Sequence, residues 1–283
     1  MTNASEARRS PQRYRQAAIY SLLYLAIACI GHLVLPRAHL DSPVAAVVLA
    51  GGLLLAFLGV VLGLILALIR LDWGPWWQGC GTVAATGLML GARKLGLQPV
   101  GDYLIVVAAS LFGGLVARLV RERNLLLPVA VVAGVVDFWG VYWGFVAHIS
   151  QTAPKVVEQF SSAVPTPRGV TLPVPVMSAM GIGDFLFTAI FLGVVVRLGL
   201  HVTRTLLGVF LAVLLAPVVL WVVPLFTGKP LDALPGLPFI GLGVIAANWR
   251  EFSLTREEKF ALLWALVAVG GLIGVYLLLG LVW

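Results

Sequence analysis

Charge is what this chain has least of. Only 11% of its 283 residues are charged, 60% are hydrophobic, and the mean hydropathy is +1.02. So little polar surface cannot cover an ordinary soluble domain, and the chain reads as a polytopic membrane protein. Cysteine is equally scarce. Cys29 and Cys80 both fall inside apolar runs, which excludes a disulfide framework and leaves them as packing residues. The four histidines (His32, His39, His148, His201) do not cluster, and no Cys/His spacing marks a metal site. No Ser/His/Asp arrangement and no phosphate-cradling glycine loop occurs, and no cofactor is expected. A net charge of +7 raises the question of nucleic acid, but no basic stripe is interleaved with aromatics. The arginines and lysines stand at segment ends, as the positive-inside effect requires, so the expected partner is the lipid bilayer and not nucleic acid.

What the chain has in abundance is apolar runs. A basic tail, 1–16, reads as disordered and cytoplasmic. It precedes a span from Ala17 to Leu35, which is too long for a signal-peptide core and is taken as an anchor. Further spans are expected at Val44–Ile69, Trp77–Ala92, Asp102–Val120, Leu125–Ala147, Met177–Gly199 and Thr205–Val223. A short apolar segment follows to Trp249, and then a last span from Phe260 to Trp283. The expectation is an all-α bundle of about nine transmembrane helices. It divides into N-terminal helices over 17–147, a polar loop over 148–176 and C-terminal helices over 177–283. Within the loop, Pro154–Val164 has the spacing of a short amphipathic helix, and four prolines between Pro165 and Pro175 enforce an extended path. Asp102 reads as a helix cap, and Arg250 and Glu251 as solvated. Most of the 19 basic residues fall on one side if the N-terminus is inside and the C-terminus outside. The protein is then multi-pass and integral, in the cell (inner) membrane if the source is prokaryotic.

Two carboxylates break this pattern. Asp137 stands alone in the fifth apolar run and Asp184 nearly alone in the sixth, while the other acidic residues fall in connections or at segment ends. A charge at membrane depth costs a few kcal/mol or more, so it needs a partner or a water-filled cavity. Both aspartates lie about eight to ten residues from the same connection. Adjacent antiparallel helices would therefore hold them at one level, roughly 12–15 Å deep at 1.5 Å per residue. Gly181 and Gly183 are expected to let another backbone come close. Two touching carboxylates cannot both ionise, so they share a proton. One can then activate water while the other polarises a carbonyl.

The motif Gly181-Ile182-Gly183-Asp184-Phe185 resembles the GxGD motif of presenilins and signal peptide peptidases, the intramembrane aspartyl proteases. Pro235-Gly236-Leu237-Pro238 resembles their PAL motif, and Asp137 matches their first catalytic aspartate. The order of aspartate, polar loop, GxGD span, one further span and PAL-like stretch holds from about Leu125 to Asn248. The departures are Val136 where the family has tyrosine, Gly236 for the alanine of PAL, and a different span count on each side. The resemblance implies a presenilin-like fold and Asp137 and Asp184 as the catalytic pair. It also implies Gly181, Gly183, Pro235, Gly236, Leu237 and Pro238 as substrate-binding residues. The substrate would be a single-span membrane protein or a signal-peptide-like segment, with Gly169–Val176 offering it a strand edge. Two other readings use the same carboxylates: an ion- or proton-coupled transporter, and a catalytically silent scaffold. Inverted repeats would favour a transporter, and the sequence shows none.

Overall fold

A computed structural model describes residues 3–35, 42–71, 73–164, 179–227 and 234–260, together with 263, 264, 267, 268, 271 and 275. Gly169–Val176 and most of the expected last span lie outside the described residues. The architecture is all-α, apart from one two-stranded hairpin. In chain order the elements are α1 (Asn3–Cys29), α2 (Pro43–Ile69), α3 (Pro75–Lys94), α4 (Gln98–Val116), α5 (Leu126–Tyr142), α6 (Phe145–Thr152) and α7 (Pro154–Gln159). The strands β1 (Ser161–Ala163) and β2 (Ala179–Gly181) follow, then α8 (Ile182–Arg197), α9 (Val202–Thr227) and α10 (Leu237–Asn248).

Among the described residues, five helical stretches are long and apolar enough to cross a membrane: Pro11–Val34, Val44–Ile69, Gln98–Val116, Arg123–Thr152 and Val202–Leu220. The expected nine are therefore not all of one kind. Helix α3 has the length, but Gln78, Thr82 and Thr86 make it too polar, while α8 and α10 have only 16 and 12 residues. At 1.5 Å per residue α10 is about 18 Å long, short of the ~30 Å of a hydrocarbon core. Residues exposed on the helices are largely apolar, among them Leu22, Val48, Val83, Leu88, Leu207 and Leu211.

Several local expectations are corrected. The tail read as disordered is helical from Asn3. The fifth run does not continue unbroken to Ala147, because α5 ends at Tyr142 and the chain turns at Gly144. A Cβ there would lie 2.9 Å from Gly140 Cα and 3.0 Å from the Trp139 ring. The amphipathic segment is helical only to Gln159; Ser161–Ala163 then pairs antiparallel with Ala179–Gly181, and Val164 is buried. Glu251 is not simply solvated, since it bridges Arg123 at 3.2 Å and His201 at 3.3 Å. Residues 256–260 are helical and begin on a capping box. Thr255 N–H donates to Glu258 Oε2 at 2.7 Å and Glu258 N–H to Thr255 Oγ1 at 3.2 Å. The Thr255 N–H, helped by the Asn124 amide, holds the Glu258 carboxyl below its ordinary range.

Helix α8 is the axis of the fold. Phe185, Ala189, Ile190, Phe191, Leu192, Val194 and Val195 are all buried, as a helix that is apolar all round requires. Small residues let α4 reach it. A Cβ at Gly113 would lie 2.8 Å from the Leu186 carbonyl, and one at Gly193 would lie 2.7 Å from Ala117 Cβ. The same device joins α9 to α10, where a Cβ at Gly243 would sit 2.6 Å from the Gly208 carbonyl carbon. Asn248 Nδ2 bonds Thr205 Oγ1 at 2.8 Å across that pair. Helix α10 in turn lies on α5, with Gly241 facing the Ala130 carbonyl and Gly134 facing Pro238 Cα at 3.4 Å. Thus α10 is held between α9 and α5, and its N-terminus is aimed at Asp137.

Candidate active site

Helix α5 presents Ala130 and Gly134 to α10, and Asp137 follows one turn later on the same face. Its Oδ2 accepts the Leu237 N–H at 3.0 Å, and the carboxylate also meets the N–H of Gly236. Leu237 is the first residue of α10, where a helix leaves its N–H groups without internal partners. Pro238 has none to satisfy, and the N–H groups of Phe239 and Ile240 turn back to the Gly236 carbonyl at 3.1 Å. The Pro-Gly-Leu-Pro sequence therefore leaves few donors at this end of α10, and Asp137 takes the one on Leu237.

Asp184 reaches the same dipeptide from the other side. It is the third residue of α8, so it lies in the first turn and not eight to ten residues in. Its Oδ2 accepts the Gly181 N–H at 3.2 Å, while the Ile182 N–H donates to the Phe160 carbonyl at 2.9 Å. A Cβ at Gly236 would overlap the Asp184 carboxylate, lying 2.7 Å from its Cγ and 3.0 Å from Oδ2. The residue at 236 has to be glycine because the carboxylate occupies the space. Asp137 and Asp184 meet the same dipeptide, one through the Leu237 N–H and the other against Gly236. Three motifs separated by up to 100 residues thus converge: Asp137, Gly181–Asp184 and Pro235–Pro238.

Gly181 and Gly183 do not play the packing role expected of them. Among the described residues, a Cβ at Gly183 would meet nothing within 4 Å, and one at Gly181 only Asp184 Oδ2 at 3.8 Å. The close approach has moved to Gly236. Substituting the two positions separates them: Gly236→Leu is expected to displace Asp184 and lower stability by about 1–3 kcal/mol. Gly183→Ala meets open space in a helix and should be neutral or stabilising by up to ~1 kcal/mol. Thermal unfolding of the two variants checks this, and equal midpoints would refute it. Pro235 is buried beside the site, while Pro238 packs on Gly134.

No family model, curated protein or solved structure matches the chain.

Two features of the site escape the sequence reading. Thr188 stands one turn beyond Asp184 on α8, buried, its Oγ1 without a hydrogen-bond partner among the described residues. The second is a buried polar cluster that holds the hairpin. Asp102 does not cap a helix; it is the fifth residue of α4 and is buried. Its Oδ1 accepts Arg93 Nη2 at 2.7 Å, and its Oδ2 contacts His32 Nε2 at 2.8 Å and the Ala163 N–H at 3.2 Å. Arg93 also donates to the Ser161 carbonyl at 2.7 Å and the Glu158 carbonyl at 3.2 Å. The Tyr24 hydroxyl meets Ser162 Oγ at 2.7 Å. Every residue of β1 is thereby tied to α1, α3 or α4, and β1 sets the register of β2, which ends at Gly181. Among the described residues no group of three or more His, Cys, Asp or Glu is placed to hold a metal ion.

Proposed function

We propose that the protein is a multi-pass integral membrane protein acting as a GxGD-type intramembrane aspartic endopeptidase, with a presenilin-like arrangement of about nine helices. The single observation that carries the reading is the convergence of Asp137 and Asp184 on Gly236-Leu237. In this mechanism one carboxylate takes a proton from water, and the oxygen attacks the scissile carbonyl carbon. The other carboxyl group protonates the carbonyl oxygen, giving a tetrahedral diol. Collapse with proton transfer to the nitrogen breaks the C–N bond and releases an acid and an amine. Gly181, Gly183 and the Pro235–Pro238 turn would bind the substrate backbone, which must unwind before it can be cut. Unwound N–H and C=O groups cannot stay unpaired in the bilayer, so strand addition to the enzyme would have to pair them. The substrate class is a single transmembrane segment or a signal-peptide-like remnant, and the active side faces outward if the N-terminus is inside.

One observation favours a second reading, the silent scaffold: each aspartate accepts an N–H at a helix N-terminus and so has a structural use. Incubating the purified protein with a panel of single-span substrates, and mapping the products by mass spectrometry, decides between them. Cleavage inside an apolar segment is expected, and lost in Asp184→Asn. A folded wild-type protein that cuts nothing in the panel would overturn the protease reading. Proton flux through the same protein in liposomes would then favour the transporter.

A further inference from the structure

At the end of α8 opposite Asp184 lies a cavity of about 570 Å³ lined by the side chains of four arginines: Arg13, Arg70, Arg118 and Arg197. Thirteen residues separate Asp184 from Arg197, so the cavity is about 20 Å from the aspartates along the helix. Gly114, Ala117 and Gly193 also line it, at the place where small residues bring α4 and α8 into close contact. Three glutamines, Gln12, Gln16 and Gln78, complete the polar wall, and no acidic side chain lines it among the described residues.

Three of the arginines are held in place by oxygens of the protein, Arg118 donating from Nε to the Gln78 amide oxygen at 3.1 Å and from Nη2 to the Trp73 carbonyl at 2.7 Å. Arg197 donates to the Ala117 and Val120 carbonyls, both at 2.8 Å, and Arg13 to the Arg70 carbonyl at 3.0 Å. These are carbonyls at the C-terminal ends of α4 and α2, and their partial negative charge offsets only part of several converging guanidinium charges. A guanidinium bonded along one edge keeps further N–H donors for a second acceptor. Planar donor forks around a concave site match a tetrahedral oxyanion, which they can bind through paired hydrogen bonds. Arg70, Arg118 and Arg197 stand at or just past the C-terminal ends of α2, α4 and α8, and Arg13 lies near the start of the apolar part of α1, the level at which basic pockets between helices meet lipid headgroups.

We propose that this cavity binds a phosphate group, and that an anionic phospholipid with its acyl chains along the exposed apolar face of α1, at Ile19, Leu22 and Leu23, is its source. The site is independent of the aspartate pair and of any proteolytic activity. The test reconstitutes the full chain in phosphatidylcholine nanodiscs with and without phosphatidylglycerol. Retained lipid is measured by native mass spectrometry, and the thermal midpoint is followed alongside. Wild type is expected to retain phosphatidylglycerol in preference to phosphatidylcholine and to gain stability from it. Arg70→Gln and Arg13→Gln should each weaken that binding about fivefold, whereas Arg250→Gln, exposed and outside the cavity, should leave it unchanged. A parallel arm adds inorganic phosphate to phosphatidylcholine nanodiscs. If phosphate raises the midpoint and phosphatidylglycerol does not, the phosphate site stands but its source is soluble. No preference in either arm, or equal loss in Arg250→Gln, would overturn the proposal. Midpoints in phosphatidylcholine alone show whether each variant is folded.

Discussion

Asp137→Asn and Asp184→Asn are each expected to abolish peptide-bond cleavage while leaving thermal stability close to wild type. The asparagine oxygen can still accept the N–H of Leu237 or Gly181 that the carboxylate accepts at 3.0 or 3.2 Å. It cannot take a proton from water or give one to a carbonyl. Loss of at least about a thousandfold in turnover is expected for either variant, because a dyad works as a unit. The double variant should be no worse than either single one, and wild-type activity should follow a bell-shaped pH profile. Alanine behaves differently. It removes the acceptor as well, leaves an N–H orphaned at a buried helix end, and should cost about 1–2 kcal/mol of stability. Comparing Asn with Ala therefore separates the chemical role from the capping role. Near-native turnover in Asp184→Asn would end the dyad assignment.

Asp102→Ala should be the most destabilising single change in the molecule, at about 3–5 kcal/mol, because it leaves the Arg93 charge buried without its counter-charge. The two side chains are only 3% and 9% exposed, so water cannot substitute for the missing partner. The loss should not stay local. Without Asp102 the Ala163 N–H loses its acceptor and β1 is loosened, and with it β2 and the Gly181 N–H that Asp184 accepts. Hydrogen exchange at the amides of 179–184 should accelerate in this variant. Asp102→Leu combined with Arg93→Met removes both charges together and should recover part of the stability, as replacing a buried pair by apolar groups often does. A variant within about 0.5 kcal/mol of wild type, with unchanged exchange at 179–184, would show that the cluster does not hold the hairpin.

Much of this protein is legible in one dimension. Apolar runs longer than a soluble helix needs mark α1, α2, α4, α5 and α9, since nothing but burial or lipid can accommodate them. Asp137 and Asp184 stand out because charge is scarce, and the Pro-Gly-Leu-Pro stretch because two prolines deny a helix its first donors. The capping box at Thr255 and Glu258 is legible in the same way, as a T-x-x-E signature before an apolar run.

Other features depend on which chain segments meet, and no local pattern reports that. An aspartate shortly after a turn looks the same in sequence whether it caps a helix or is buried against an arginine. Asp102 becomes an ion-pair partner only because α3 returns Arg93 beside α4, and the π-helical turn Ile30–Val34 after α1 brings His32 to the same point. Glycine spacing marks Gly181 and Gly183 as positions of close approach, yet the contact forms at Gly236, because α5 and α9 fix where α10 starts. The four arginines that line one cavity are dispersed along the sequence, from Arg13 within α1 to Arg197 at the end of α8. Hydrophobicity and charge are properties of single residues, so the residue order alone marks the five long apolar helices and the two carboxylates that lie among apolar neighbours. Only the tertiary structure decided which N–H groups those carboxylates accept, which glycine makes room for one of them and which arginines share a cavity, because each is a distance between atoms that the chain order leaves free.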